Sequence, residues 1–382
     1  MIYLDYAAAT PMDDRVKAAQ EPYFSNLFFN PSASYQSARK VRDDYENARH
    51  ALAQTIGSRS AEIIITAGAT ESINLALAGV SGQILTTNIE HASVLSFAES
   101  KNSKIVEVDN RGIVQLNELT DAITDETELI SIGYANSEIG SVQPIKEIAA
   151  IVAKTREKRL ESGVDRQLLL HIDASQAAGY LDINTARLNV DLMTLNAGKC
   201  YGPKQVGLLY VKAGIRLKPL ILGGGQEMGL RSGTENVAGT IGFARALEIA
   251  ERKRKGESER LSKIRDELEK FIADNFSDAV FNGHKKQRLP NILNFSLPGL
   301  DGERAVFALD DNGVMVATGS ACAANKGTRS HVLTAIGLSD ELADGSLRIS
   351  LGRPTTQEEI EKLKPILMDT LNAQLRFGSQ NA

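Results

Sequence analysis

The chain has 382 residues, 42% of them hydrophobic and 24% charged, with a net charge of −5. That length suggests two domains, or one large and one small, each with a sizeable core, in a composition ordinary for a globular protein. The charge gives no basic footprint for direct nucleic-acid binding, and no apolar run approaches the ~20 residues of a membrane span. Two cysteines, Cys200 and Cys322, cannot build a disulfide framework and fit a reducing compartment. The opening Met1-Ile-Tyr-Leu-Asp lacks the charged-then-apolar order of a secretory signal, so a cytoplasmic location with no membrane partner is expected.

In chain order, residues 1–14 predict an extended entry segment and Asn30-Pro31-Ser32 a turn. A helix is expected over 36–56, with Val41, Tyr45, Ala48, Leu52 and Ile56 on one stripe and Gly57 closing it. A strand over 62–66 leads through Ala67-Gly68-Ala69-Thr70 into a helix reaching Ala78. Strands and helices then alternate: strand 83–87, helix 91–101, strand 104–108, helix 117–123, strand 128–134, helix 144–159, strand 167–172. Pro144 suits a first helical position. The apolar run Leu192–Leu195 and a second strand, 206–211, flank Lys199 and the turn Tyr201-Gly202-Pro203. Such alternation predicts an α/β domain, a mostly parallel sheet with helices on both faces. Beyond it a helix is expected over 235–253, and the charged stretch 251–260 breaks at Gly256 and predicts a solvated passage. A further helix carries Leu261, Ile264, Leu268 and Phe271 on one stripe. Strands near 279–281, 291–296 and 347–351 and helices over 303–310, 330–336 and 357–377 complete the chain, with a kink expected at Pro365.

Open α/β sheets place ligands at the carboxyl ends of their strands, and the chemistry-bearing residues fall there. Ala69 and Thr70 open a helix, where free N–H groups and the dipole favour an anion; Thr70 is equally a common N-cap. His91 follows strand 83–87, and Asn136 follows strand 128–134. Asp173 ends a buried strand and is followed by Gln176. A buried carboxylate needs a partner, which a protonated cofactor ring nitrogen would supply, although Asp173-Ala-Ser-Gln also permits a helix cap. Lys199 sits on a short loop between two buried strands, and burial lowers a lysine's pKa. A neutral amine there forms a Schiff base with an aldehyde. An anion site, a ring flanked by histidine, a ring nitrogen met by Asp, and a lysine for an aldehyde together describe pyridoxal 5′-phosphate. Cys322 lies in Thr318-Gly-Ser-Ala-Cys-Ala-Ala-Asn-Lys-Gly-Thr328, whose composition predicts an exposed loop and an accessible thiol. Cys200, directly after Lys199, is expected to be buried and structural.

The stretches Tyr3-Leu-Asp-Tyr-Ala-Ala, Gly68-Ala-Thr-Glu-Ser-Ile-Asn, Glu90-His91, Asn136-Ser-Glu-Ile-Gly, His171-Ile-Asp-Ala-Ser-Gln, Lys199-Cys-Tyr-Gly-Pro-Lys, Leu230-Arg-Ser-Gly-Thr-Glu-Asn, Thr318-Gly-Ser-Ala-Cys and Arg348-Ile-Ser-Leu-Gly-Arg-Pro-Thr-Thr run through nearly the whole chain. In this combination the sequence resembles the pyridoxal-phosphate-dependent cysteine desulfurases of the nitrogen-fixation and iron–sulfur assembly type, class V aminotransferases of fold type I. The resemblance implies a seven-stranded large domain over 15–255. It also implies a smaller α+β domain formed by 1–14 and 256–382, which carries the cysteine loop.

The resemblance implies that Lys199 holds the cofactor and moves the substrate's α-proton. His91 would stack on the ring and serve in proton transfer, Asp173 would pair with the ring nitrogen, and Gln176 would contact the ring oxygen. Ala69 and Thr70 would bind the phosphate, with Asn196 as a further donor. Asn30 and Asn136 would lie near the substrate. Thr234 would reach the phosphate of the neighbouring subunit's cofactor, making a homodimer part of the site. Arg353 would clamp the substrate carboxylate, a bidentate task suited to guanidinium, leaving Arg348 as the structural arginine. Cys322 would take sulfur from L-cysteine as a persulfide, releasing alanine, for delivery to an acceptor protein that the sequence does not identify. No metal is implied.

The family usually carries Ser-Gly-His before its lysine, where this chain has Asn196-Ala197-Gly198. Loss of that histidine's bond to a charged phosphate predicts cofactor binding weaker by about tenfold to a hundredfold. Asn136-Ser137-Glu138 and Ala174-Ser175-Gln176 also depart from the usual Asn-Asn-Glu and Ala-Ala-Gln. Three readings stand at this point: a cysteine desulfurase; a selenocysteine lyase or other β-eliminating relative, which would not depend on Cys322; and a catalytically impaired relative acting as a binding module, against which the intact Lys199 argues.

Overall fold

The computed structural model describes residues 1–101, 103–319 and 329–381, with side chains as far as Arg376. Its strands are β1 (Ile2–Tyr3), β2 (Ile63–Thr66), β3 (Gln83–Thr87), β4 (Ser103–Val106), β5 (Thr127–Gly133), β6 (Leu169–Asp173), β7 (Leu192–Asn196), β8 (Gly207–Val211), β9 (Val280–Phe281), β10 (Ile292–Ser296), β11 (Val314–Met315) and β12 (Ser346–Ser350). Seven form one sheet in the order β2-β8-β7-β6-β5-β3-β4. All neighbours in it are parallel except β8, which runs antiparallel to both β2 and β7. Except in the edge strand β4, where Lys104 and Ile105 are exposed, their side chains are buried almost without alternation, because helices cover both faces.

The helix Gln36–Ile56 presents the expected stripe to the core and ends where Gly57 turns left-handed at φ 70, its N–H reaching the Ala53 and Gln54 carbonyls. One buried carboxylate ties this helix to the sheet. Glu227 accepts hydrogen bonds from Arg49 Nη1 and Nη2 (2.7 and 2.6 Å), the Tyr45 hydroxyl (2.6 Å) and the Ile65 N–H (2.6 Å).

A second core gathers Ile2 and Leu4 with Leu261, Leu268, Phe295, Leu347, Ile349 and Leu371. It covers the antiparallel sheet β12-β10-β9 and the parallel pair β1-β11. The break expected at Gly256 is absent: Val237–Asn275 is one continuous helix of 39 residues. A mid-helix glycine costs only about 1 kcal/mol, and this helix is anchored in both cores, by Phe243 and Leu247 in the first and by Leu261 and Leu268 in the second. Arg254–Glu251 and Arg260–Glu257 pairs one turn apart line its charged middle. Pro144 caps its helix rather than opening it. Two short helices, Asp14–Gln20 and Pro22–Ser25, follow the entry segment. No helix among the described residues is long and apolar enough to cross a membrane.

Candidate active site

The carboxyl ends of β3, β5, β6 and β7 open into a cavity of about 670 Å³. Lys199 reaches it from the single 3-10 turn Ala197–Lys199 that follows β7. Its Nζ donates to the carbonyls of Ala7 and Ala8, both at 2.7 Å. The entry segment therefore forms part of the cavity wall. Asp173, at the end of β6, lines the same space and accepts the Ser175 N–H through Oδ1 at 2.9 Å. Gln176 donates to the Ala7 carbonyl at 3.0 Å. Asn196 accepts the Gly198 N–H at 3.2 Å through Oδ1, leaving its Nδ2 as the donor for a ligand.

Ala69 and Thr70 start the helix Ala69–Ala78 at the cavity edge. Gly68 before it has φ 136, and a Cβ there would meet nothing within 4 Å. The helix start is thus an open cradle with no side-chain cap. The crossing beneath is tight: a Cβ on Gly207 would come within 2.8 Å of the Gly68 backbone. His91 caps the helix Ala92–Glu99, its Nδ1 accepting the Ser93 N–H at 3.1 Å. In the neutral ring the hydrogen is then on Nε2. Asn136 bridges two walls, donating to the Ile89 carbonyl at 3.0 Å and accepting the Glu138 N–H at 2.8 Å.

Glu90 is a site residue to which the sequence attached no role. It is enclosed, accepts from Thr87 Oγ1 (2.6 Å) and the Gly133 N–H (2.7 Å), and lines the cavity. Burial pushes its carboxyl up to about 7; the bonds from Thr87 and Gly133 oppose the rise, and the nearby Asp173 adds to it. One layer below, His171 sits between Ser131 Oγ (2.8 Å) and Thr194 Oγ1 (2.9 Å), and burial holds it neutral. Its motif was visible in sequence, but its cross-strand partners depend on sheet register.

The two arginines exchange the places expected of them. Arg353 does not line the cavity. Its guanidinium stacks over the Tyr201 ring at 3.6 Å, donates to the Cys200 carbonyl at 3.2 Å and pairs with Asp13 at 3.4 Å. Arg348, expected to be purely structural, lines the cavity from β12. It is 2% exposed, pairs with Asp5 at 2.6 Å and donates to the Ser137 carbonyl at 3.1 Å, while its Nε has no partner among the described residues. The Oγ of Ser175, a residue that also lines the cavity, is likewise buried without a partner among the described residues.

Asn30 and Thr234 are exposed and outside the cavity of this single chain. Asn30 instead accepts the Ser32 N–H at 2.9 Å. Cys322 lies outside the described residues, which resume at Arg329. Cys200 is 1% exposed, as expected of a structural cysteine, and burial pushes its thiol up to about 12.

The aminotransferase class-V family model matches residues 2–363. A cysteine desulfurase IscS of Dictyoglomus turgidum is 40% identical over 378 residues, covering 96% of this chain and 93% of that protein. Among solved structures, a NifS-like protein superposes with a TM-score of 0.89 at 33% identity, covering 97% of this chain and 99% of that one. SspA in complex with cysteine superposes with a TM-score of 0.79 at 33% identity, covering 92% and 99%. Matched along almost its whole length in both sequence and fold, the chain belongs to the class-V aminotransferase family, among its cysteine desulfurases.

Proposed function

We infer that the cavity holds pyridoxal 5′-phosphate and L-cysteine, and that this chain converts cysteine to alanine while passing the sulfur to its own Cys322. The observation that carries this is the convergence of Lys199, Asp173 and the open helix start at Ala69 and Thr70 on one cavity. The residues fit the cofactor. An anion would be met by N–H groups at the uncapped helix start, a cationic ring nitrogen by Asp173 and an aldehyde by Lys199. Gln176, Asn196 and His91, in the same cavity wall, would supply further contacts. When bound, the cofactor supplies an aldehyde that condenses with amines and an electron sink for a carbanion.

The protein's own groups do the rest. Lys199 Nζ takes and returns the α-proton, with the Ala7 and Ala8 carbonyls as its resting acceptors. His91 holds a transferable proton on Nε2 in its neutral form. Arg348, rather than Arg353, receives the substrate carboxylate, with Asn136 beside it. This assignment is supported by its place in the wall. The Cys322 thiol takes the substrate's sulfur: the substrate C–S bond breaks, an S–S bond forms, and cysteine plus thiol become alanine plus persulfide.

The remaining assignments belong to the same proposal: a homodimer in which Thr234 serves the neighbouring site, a large domain over 15–255 with a small domain from 1–14 and 256–382, a cytoplasmic location, and a protein acceptor for the persulfide sulfur. Mass spectrometry after incubation with cysteine tests the chemistry. One added sulfur atom at Cys322 is expected, together with loss of alanine release in Cys322→Ala. Undiminished turnover in that variant would instead indicate a lyase that needs no thiol.

A further inference from the structure

Lys199 is presented by a backbone that would not hold its shape unaided. Tyr201, two residues on, is left-handed at φ 67, a conformation that a bulky residue keeps only where its surroundings impose it. Several of those constraints come from the turn itself and from the entry segment. The Gly202 N–H bonds to Ala197 O at 2.9 Å, Tyr201 N–H bonds to Thr10 Oγ1 at 2.9 Å, and Thr10 Oγ1 in turn donates to Gly198 O at 3.0 Å. Others come from Arg353, 152 positions away. The Arg353 backbone N–H donates to the Tyr201 hydroxyl at 2.6 Å, its Nη2 donates to Cys200 O at 3.2 Å, and its guanidinium carbon lies over the Tyr201 ring, 3.6 Å from the centroid. Asp13, whose own N–H donates to Tyr201 O at 3.0 Å, holds Nη1 at 3.4 Å. Arg260 fixes Arg353 from behind through its carbonyl at 3.2 Å.

We propose that Arg353 is a positioning residue for Lys199: acting through the Cys200 carbonyl and the Tyr201 ring, it locks the turn that delivers the lysine amine to the cavity. The inference rests on Lys199 being the cofactor anchor assigned above. The contacts suit this role. The Cys200 carbonyl belongs to the residue directly after Lys199, so a bond to it constrains the lysine's own backbone. A planar guanidinium can stack and donate at once, which an ammonium cannot. Arg353 also follows β12, five residues after Arg348. The part of the chain that supplies the cavity arginine therefore also braces the lysine turn, which fixes the spacing between the two.

The experiment compares wild type with Arg353→Lys, Tyr201→Leu and Arg348→Gln. It reads the dissociation constant for pyridoxal phosphate added to apoprotein, the pH midpoint of the bound cofactor's visible absorbance, and KM for cysteine. Arg353→Lys should weaken cofactor binding roughly tenfold, the factor lost with one charge-assisted hydrogen bond. It should also move the absorbance midpoint and leave KM within about threefold. Tyr201→Leu removes the ring but keeps Arg353 and should reproduce both cofactor effects. Arg348→Gln should do the opposite, raising KM with cofactor binding unchanged. Circular dichroism identifies a variant that does not fold, and the comparison then rests on the other. Wild-type cofactor binding and absorbance in Arg353→Lys, with a raised KM, would overturn the proposal and restore Arg353 to the substrate carboxylate. If borohydride fixes no cofactor on Lys199 of the wild type, the anchor assignment itself fails, and the inference with it.

Discussion

Replacing Glu90 by Gln removes a charge while keeping the shape of the side chain. The amide can still accept the Gly133 N–H and donate to Thr87 Oγ1, the two partners of the carboxylate. What it loses is the ability to ionise in a place that disfavours ionisation. A carboxyl near 4.5 in the unfolded chain and at about 7 in the folded one binds its proton more tightly when folded. Its contribution is fully present below pH 4.5 and is lost as pH rises through 7, which amounts to about 3 kcal/mol across the window. Among the described residues no cation is bonded to the Glu90 carboxylate to recover that energy; its partners are a hydroxyl and a backbone amide. Urea unfolding of the two apoproteins at pH 5 and pH 8.5 reads the effect. Between those pH values the variant should gain about 2–3 kcal/mol relative to wild type. Parallel pH dependences, within about 0.5 kcal/mol, would show that Glu90 ionises normally and that enclosure does not govern it.

Glu227→Ala would strand the Arg49 guanidinium, the Tyr45 hydroxyl and the Ile65 N–H in the core. Breaking such a buried pair should cost about 3–5 kcal/mol, read as a shift of the denaturant midpoint at pH 7; a loss under about 1 kcal/mol would mean the site rehydrates freely. At Gly198 a Cβ would meet only ordinary contacts, the nearest being Asn196 Oδ1 at 3.6 Å. Gly198→His should therefore be accommodated and should tighten pyridoxal phosphate binding by about tenfold to a hundredfold. An unchanged dissociation constant in spectrophotometric titration would show that Asn196 already supplies the missing donor.

The sheet and most of its helices were legible because their signals are local. β2, β5 and β7 are short apolar runs, and the helix 36–56 carries its stripe and its closing glycine within its own sequence. The strand-end rule puts Ala69, His91, Asn136, Asp173 and Lys199 around one opening, and all five line the cavity. Glu90 was overlooked because nothing in the sequence states that a carboxylate beside a histidine is enclosed. That depends on Gly133, 43 residues later, arriving beside it. Gly256 misled because glycine is a local signal of a break, while the packing that overrides it lies at the two distant ends of the helix.

The sequence by itself determined the alternation of elements, the ligand chemistry gathered at the strand ends and the family, since each is written in residue type and short-range spacing. Only the tertiary structure separated the places of Arg348 and Arg353. Five residues apart in one motif, they are equivalent by composition. The first lies within β12 and projects its side chain into the cavity, whereas the second lies beyond the strand's end, where Tyr201, Cys200 and Asp13 engage it. Where a long side chain ends is set by the surfaces that close around it, and those come from parts of the chain hundreds of residues apart.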